Sequence, residues 1–260
     1  EVVDAVCRRL TDQTAIRMAR LHPVHYLMAL RTYAGGYSKT TGHRWDPVPG
    51  VVDALERGFM LAFQGIEASP AEVVVAVDVS GSMSSMMGIG PGAEGLQAVE
   101  IGAVLAMSLA RTFPNHRVWG FNTSCFDLCI TPEMGLQEVV NRLQAGGGTD
   151  ISTPVFRAMN GRVPVDALVI ITDNETWKNR EPVHQVMERY RAIVGRSTAL
   201  IVIATSVTKY SVADPNDPLS LNIAGFDAHI PGLIRTFIES RMGLEPVPAG
   251  DYEGFGDDEI

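Results

Sequence analysis

Five oxygen-bearing side chains stand where the apolar runs of this chain stop. Asp78, Ser80 and Ser82 close VVVAVDVSGSM, Thr149 lies in GGGTD, and Asp173 ends ALVIITD. Hard oxygen donors of this kind suit a small divalent cation, magnesium or manganese. Asp78, Ser80 and Ser82 alternate, so a short extended loop turns all three toward one point. Two carboxylates roughly neutralise such an ion. The neutral hydroxyls leave it electrophilic, with one place for an anionic ligand from outside. A carboxylate at the end of a buried strand is costly without a partner. Residues 72–110 contain no Lys or Arg to pair with Asp78, so a cation is the expected partner. Asp150, beside Thr149, is expected to cap a helix or support the site rather than bind the ion.

These residues need a scaffold that gathers distant loops. From residue 72 onward, strand patterns at 73–78, 117–121, 126–130, 168–173, 199–205 and 222–226 alternate with helix patterns at 96–112, 135–144, 153–160, 182–194 and 230–241. Such alternation predicts an α/β fold with a doubly wound, mostly parallel sheet. Segment 126–130 follows its predecessor too closely for a parallel crossover, so it is expected to be an antiparallel edge. In the strand order 3-2-1-4-5-6, ligands bind where the winding reverses, between the first and fourth strands. Asp78 and Asp173 end those two strands. Ahead of this half, residues 1–34 read as helices, with Asp12 as a cap and Gly35-Gly36 as a stop, then a loop at 38–50 and a helix at 51–64. Their apolar positions are too few for a core of their own, so they are expected to pack on a neighbour.

The chain has 260 residues, 46% hydrophobic and 20% charged, as in ordinary globular proteins. No uninterrupted apolar stretch reaches membrane-spanning length, since residues 98–113 carry Glu100 and Arg111. Cys7, Cys125 and Cys129 form no zinc pattern and are expected to be buried free thiols in a reducing, cytoplasmic compartment. Residues 1–70 are near neutral, residues 71–242 carry −4, and residues 243–260 carry −6 of the total −9. The last segment reads as a disordered acidic tail. An acidic balance argues against strong nucleic-acid binding by charge alone. Gly90 to Gly95 spells GxGxxG, but eleven residues past its strand, so the glycines are expected to form a lid over the ion rather than a dinucleotide site. Met83, Met86 and Met87 fit either the rim of the site or the core, and His22 and His25 are expected to pack or cap locally. The motifs offer no histidine or lysine as a general base for Ser80 or Ser82, so binding is expected, not enzymatic catalysis.

DVSGSM, GGTD and ITDNE together resemble the metal-ion-dependent adhesion site of von Willebrand factor A (vWA) domains, across residues 71–242. The flanking HPVHYLMALRTYAGG, WDPVP and DALERGFMLAF, with TDNETW, resemble Ro-type (TROVE) proteins. That resemblance implies a ring of helical repeats, ending here at residues 1–70, closed by a vWA domain at 71–242 and followed by the tail at 243–260. It implies binding of small noncoding Y RNAs and of misfolded RNA 3′ ends, mainly through the ring. Arg8, Arg9, Arg17, Arg20 and Arg31 are the cluster here expected to touch RNA. A protein partner supplying an acidic side chain to the metal is the alternative; no membrane partner is implied. Because it opens without methionine inside a helix, the chain is expected to be a fragment, with most of the ring missing.

Overall fold

Three runs of β-branched and small apolar residues build the centre of the sheet. β1 (Val73–Asp78), β4 (Ala167–Thr172) and β5 (Ala199–Ala204) are buried at every position. This is the pattern of parallel strands covered on both faces. β2 (His116–Phe121), β3 (Cys125–Asp127) and β6 (Ser220–Ala224) complete one six-stranded sheet in the order β3-β2-β1-β4-β5-β6. Every pairing is parallel except β2 with β3. The expected strand order and antiparallel edge are both found. The computed structural model describes residues 1–19, 21, 23–38, 41–63, 67–85, 96–173, 181–205, 212–225 and 229–243.

Helices cover the two faces. α7 (Thr153–Asn160) and α8 (Val183–Val194) lie on one face with Val74, Ala76, Trp119 and Ile170. α5 (Ala98–Thr112), α6 (Leu136–Arg142) and α9 (Ile230–Arg241) lie on the other with Val73, Val75, Val77 and Ile171. α5 is buried all round except at Arg111. A helix apolar on every side must be enclosed, and here the outer cover is the N-terminal segment. α1 (Val2–Leu10), α2 (Gln13–Met18), α3 (Pro23–Ala34) and α4 (Pro49–Ala62) join the same hydrophobic cluster, α1 through the partly buried Leu10 and the others through Ile16, Leu27, Leu30, Leu55 and Phe59. Asp12 caps α2 by accepting from the Thr14 and Ala15 amides. Arg31 of α3 pairs with Glu100, a carboxylate that also accepts from the Gln97 amide at the start of α5. Among the described residues, no helix is long and apolar enough to cross a membrane.

Two expectations change and one open alternative is resolved. The edge strand stops at Asp127 rather than 130, because Cys129 adopts a left-handed φ of 49° and its amide turns back onto the Asp127 carboxylate. The cysteines are free but not buried: Cys7 and Cys125 are half-buried and Cys129 is exposed. Burial still pushes the Cys125 thiol up to about 11, so it is unreactive at neutral pH. Met83 is wholly buried and belongs to the core rather than the rim. His25 is exposed on α3. Residues 86–95, which contain the glycines expected to form a lid and Met86 and Met87, lie outside the described residues, as do His22 and residues 244–260.

Candidate metal centre

β1 ends in a fully buried carboxylate, and the chain then turns at once through a 3₁₀ turn, Gly81–Ser84. The Ser80 amide donates to Asp78 Oδ1 at 2.8 Å, which curls the loop back over the strand end. Ser80 Oγ and Ser82 Oγ face each other at 3.1 Å. Octahedral coordination at ~2.1 Å places neighbouring ligand oxygens about 3.0 Å apart. The two hydroxyls therefore span one edge of such a shell without rearrangement. Ser80 is buried and Ser82 half-exposed, so the centre opens to solvent on the Ser82 side.

The second loop is stitched to the first. The Gly81 amide donates to Gly147 O at 3.0 Å and the Gly146 amide to Val79 O at 2.8 Å. Gly147 carries a φ of 79°, which a side chain would resist. Asn122, just past β2, holds both ends of this loop. Its Nδ2 donates to Gly146 O at 3.1 Å, and its backbone carbonyl accepts from the Asp150 amide at 2.9 Å. Thr149, between these anchors, is buried. Asp150 accepts from the Ser152 amide and hydroxyl; Ser152 is itself the N-cap of α7, so Asp150 supports the start of that helix from outside it rather than capping it.

The third contribution comes from β4. The parallel register pairs Val77 with Ile171, which brings Thr172 beside the end of β1. The Thr172 hydroxyl donates to Asp78 Oδ2 at 2.7 Å. Sequence reasoning missed Thr172 and Asn122. Thr172 directly precedes Asp173, and that adjacency at a strand end was the available signal. Asp173 is buried close enough for its charge to act on Asp78. Burial pushes the Asp78 carboxyl up to about 6; the bonds from Ser80 and Thr172 oppose this and the Asp173 charge adds to it. Thus Asp78, Ser80 and Ser82 are joined directly and Asp173 lies within charge range. Thr149 lies buried on the loop that is bonded to Val79 and Gly81. Among the described residues, no group of three His, Cys, Asp or Glu side chains converges. A metal here would have to take hydroxyls to complete its shell.

The same fold is found in known proteins. The Ro60 vWA domain family matches residues 72–238. The chain belongs to the Ro60 vWA family. It is 37% identical over 242 residues to the RNA-binding protein RO60 of Deinococcus radiodurans, covering 92% of this chain and 45% of that protein. It is 32% identical over 244 residues to the RNA-binding protein RO60 of Caenorhabditis elegans, covering 92% of this chain and 37% of that protein. The crystal structure of the Deinococcus radiodurans RO (RSR) protein superposes with a TM-score of 0.82 at 36% identity, covering 92% of this chain and 48% of that chain. This Ro60-type chain therefore spans under half the length of the relatives it matches.

Within the Ro60-type chain, the arginines expected to face RNA divide. Arg8, Arg9 and Arg17 are exposed on α1 and α2, with Arg9 3.9 Å from Asp12. Arg31 is occupied by Glu100 and does not project as a free cation. Arg20 lies outside the described residues.

Proposed function

We propose that this chain is the vWA-domain part of a Ro-like ribonucleoprotein that binds small noncoding Y RNA and the 3′ ends of misfolded RNA in the cytoplasm. Its role is binding rather than catalysis. In this reading residues 1–70 end a helical-repeat region that carries most of the RNA contacts, 71–242 form the vWA domain, and 243–260 are an acidic tail. The observation that carries it is the 37% identity, over 92% of the chain, to a protein named for RNA binding. Residues 71–260 carry −10, so this half contributes little phosphate attraction. A gel-shift series with single-stranded RNA at physiological salt should show the chain binding far more weakly than the full-length Deinococcus radiodurans protein. Comparable affinity would put the RNA surface in the wrong half.

The vWA domain, in the same proposal, holds one magnesium or manganese ion through Ser80, Ser82 and Thr149, with Asp78 and Asp173 partly through water. A buried Asp78 whose carboxyl is raised by burial, beside two hydroxyls already at ligand spacing, supports this. Bound there, the ion would supply an electrophilic point for an anionic ligand. A second reading follows from the opening at Ser82: a partner protein's Asp or Glu completes the coordination. Calorimetric titration should show saturable magnesium binding that Asp78→Ala removes. Equal binding by the variant would overturn the donor set.

A further inference from the structure

Between α3 and α4 the chain doubles back on itself and exposes a stack of rings. Tyr37 and Arg44 form an antiparallel bridge, the Ser38 amide donates to His43 O at 2.9 Å, and the Trp45 amide donates to Gly36 O at 3.0 Å. Gly36 makes the closure possible: its φ is 64°, and a Cβ there would lie 2.7 Å from Trp45 O. Trp45 is pinned by its indole N–H, which donates to Tyr33 O at 2.9 Å. Tyr33 and Trp45 stack at 6.1 Å between centroids, and His43 stacks on Trp45 at 6.2 Å, both tilted by 27°. Arg44 lies over the Tyr37 ring at 5.0 Å. Tyr33 and Trp45 are half-buried, whereas Tyr37, His43 and Arg44 are exposed.

A fold-supporting aromatic cluster hides its outer rings. This one ends in an exposed imidazole and an exposed phenol, with a guanidinium beside them. Of the three Lys or Arg in residues 31–46, Arg31 is taken by Glu100, which leaves Lys39 and Arg44 against one acidic residue, Asp46, although the chain as a whole carries −9. Flat rings beside a cation are what single-stranded nucleic acids use: bases stack on the π faces and the cation meets the phosphate. Because Trp45 and Tyr33 are already locked, little ordering is left to be done on binding. We propose that Tyr37, His43, Arg44 and Trp45 form a stacking site for the bases of single-stranded RNA. This rests on the RNA-binding reading above and assigns this chain a weak, sequence-tolerant contact of its own.

The test is fluorescence anisotropy with the 260-residue chain and a labelled oligouridine of about 12 nucleotides, within the usual single-stranded site size. An abasic strand of equal length serves as the phosphate-only probe. The wild type should bind the oligouridine more tightly than the abasic strand. His43→Ala and Tyr37→Ala should each weaken oligouridine binding about fivefold, the low end of the cost of losing one stacking ring. Neither should change abasic binding, whereas Arg44→Ala should weaken both. Circular dichroism melts of the same variants identify any that fail to fold, and the conservative His43→Phe should then retain binding. Oligouridine binding unchanged in the Tyr37 and His43 variants would overturn the site and leave the RNA-binding reading standing. A wild type that binds both strands equally, or neither, would also overturn it; the reading itself would then be judged on the gel-shift comparison.

Discussion

Replacing Asp78 by Asn removes one negative charge from a fully buried position while keeping the shape of the side chain. The Asp78 carboxyl is pushed from 3.8 to about 6, chiefly by burial. A carboxyl raised on folding penalises the folded state increasingly as pH rises from 3.8, and fully above about 6, because its charged form is worse solvated there than in the unfolded chain. Each pH unit of displacement is worth ~1.4 kcal/mol, so without metal the charge costs the fold about 3 kcal/mol at pH 7. Asn retains the bond from the Ser80 amide to Oδ1. The Thr172 hydroxyl must turn from donating to Oδ2 to accepting from Nδ2, which returns part of the gain. A net gain of ~2 kcal/mol remains, and in a domain of this size it raises Tm by about 4–8 °C. Thermal melts followed by circular dichroism, in EDTA and in excess magnesium, measure both sides. In EDTA, Asp78→Asn should melt above the wild type. In magnesium, the wild type should rise by mass action and the variant should not. A variant that melts below the wild type in EDTA and gains as much from magnesium would refute this reasoning.

Arg31→Met should lower stability by about 1–3 kcal/mol, because it strands the Glu100 carboxylate in the core, and adding Glu100→Gln should restore most of the loss in urea unfolding. Gly58→Ala should cost about 1–3 kcal/mol despite the better helix propensity of alanine. A Cβ at Gly58 would lie 2.2 Å from the Tyr26 ring and 2.6 Å from Leu10 O, where α1, α3 and α4 meet; an unchanged urea midpoint would contradict that packing. Burial pulls the Asp217 carboxyl up, but bonds from the Ser220 hydroxyl, the Leu219 amide and Arg191 outweigh it and hold the group below its ordinary 3.8. Its stabilising contribution is therefore complete above that value and lost as pH falls through the lower folded value. Asp217→Asn should flatten this acid limb of the stability–pH curve.

The elements and the candidate donors are legible in the chain alone. VVVAVD, ALVIIT and ALIVIA are β-branched enough to demand a parallel sheet covered on both faces, and their spacing by helices implies the winding order. DVSGSM marks its own site because Asp78, Ser80 and Ser82 are close neighbours in the chain and their convergence is a local matter. Which distant group meets which depends instead on how the elements pack. Thr172 reaches Asp78 across ninety-four residues because the register sets β4 against β1, and no short-range pattern encodes that contact. Arg31 reads as a free cation on α3 until the fold places Glu100 against it. Met83 looks equally suited to a rim or a core, and only the enclosure of α5 between the sheet and α1–α4 buries it. The stack of Tyr33, Trp45 and His43 was likewise hidden in a stretch that reads as plain loop, because its rings come together only when Gly36 folds the chain back onto Trp45. Periodicity and turn chemistry act over a few residues, whereas register, ion pairing and ring stacking are settled by which surfaces pack.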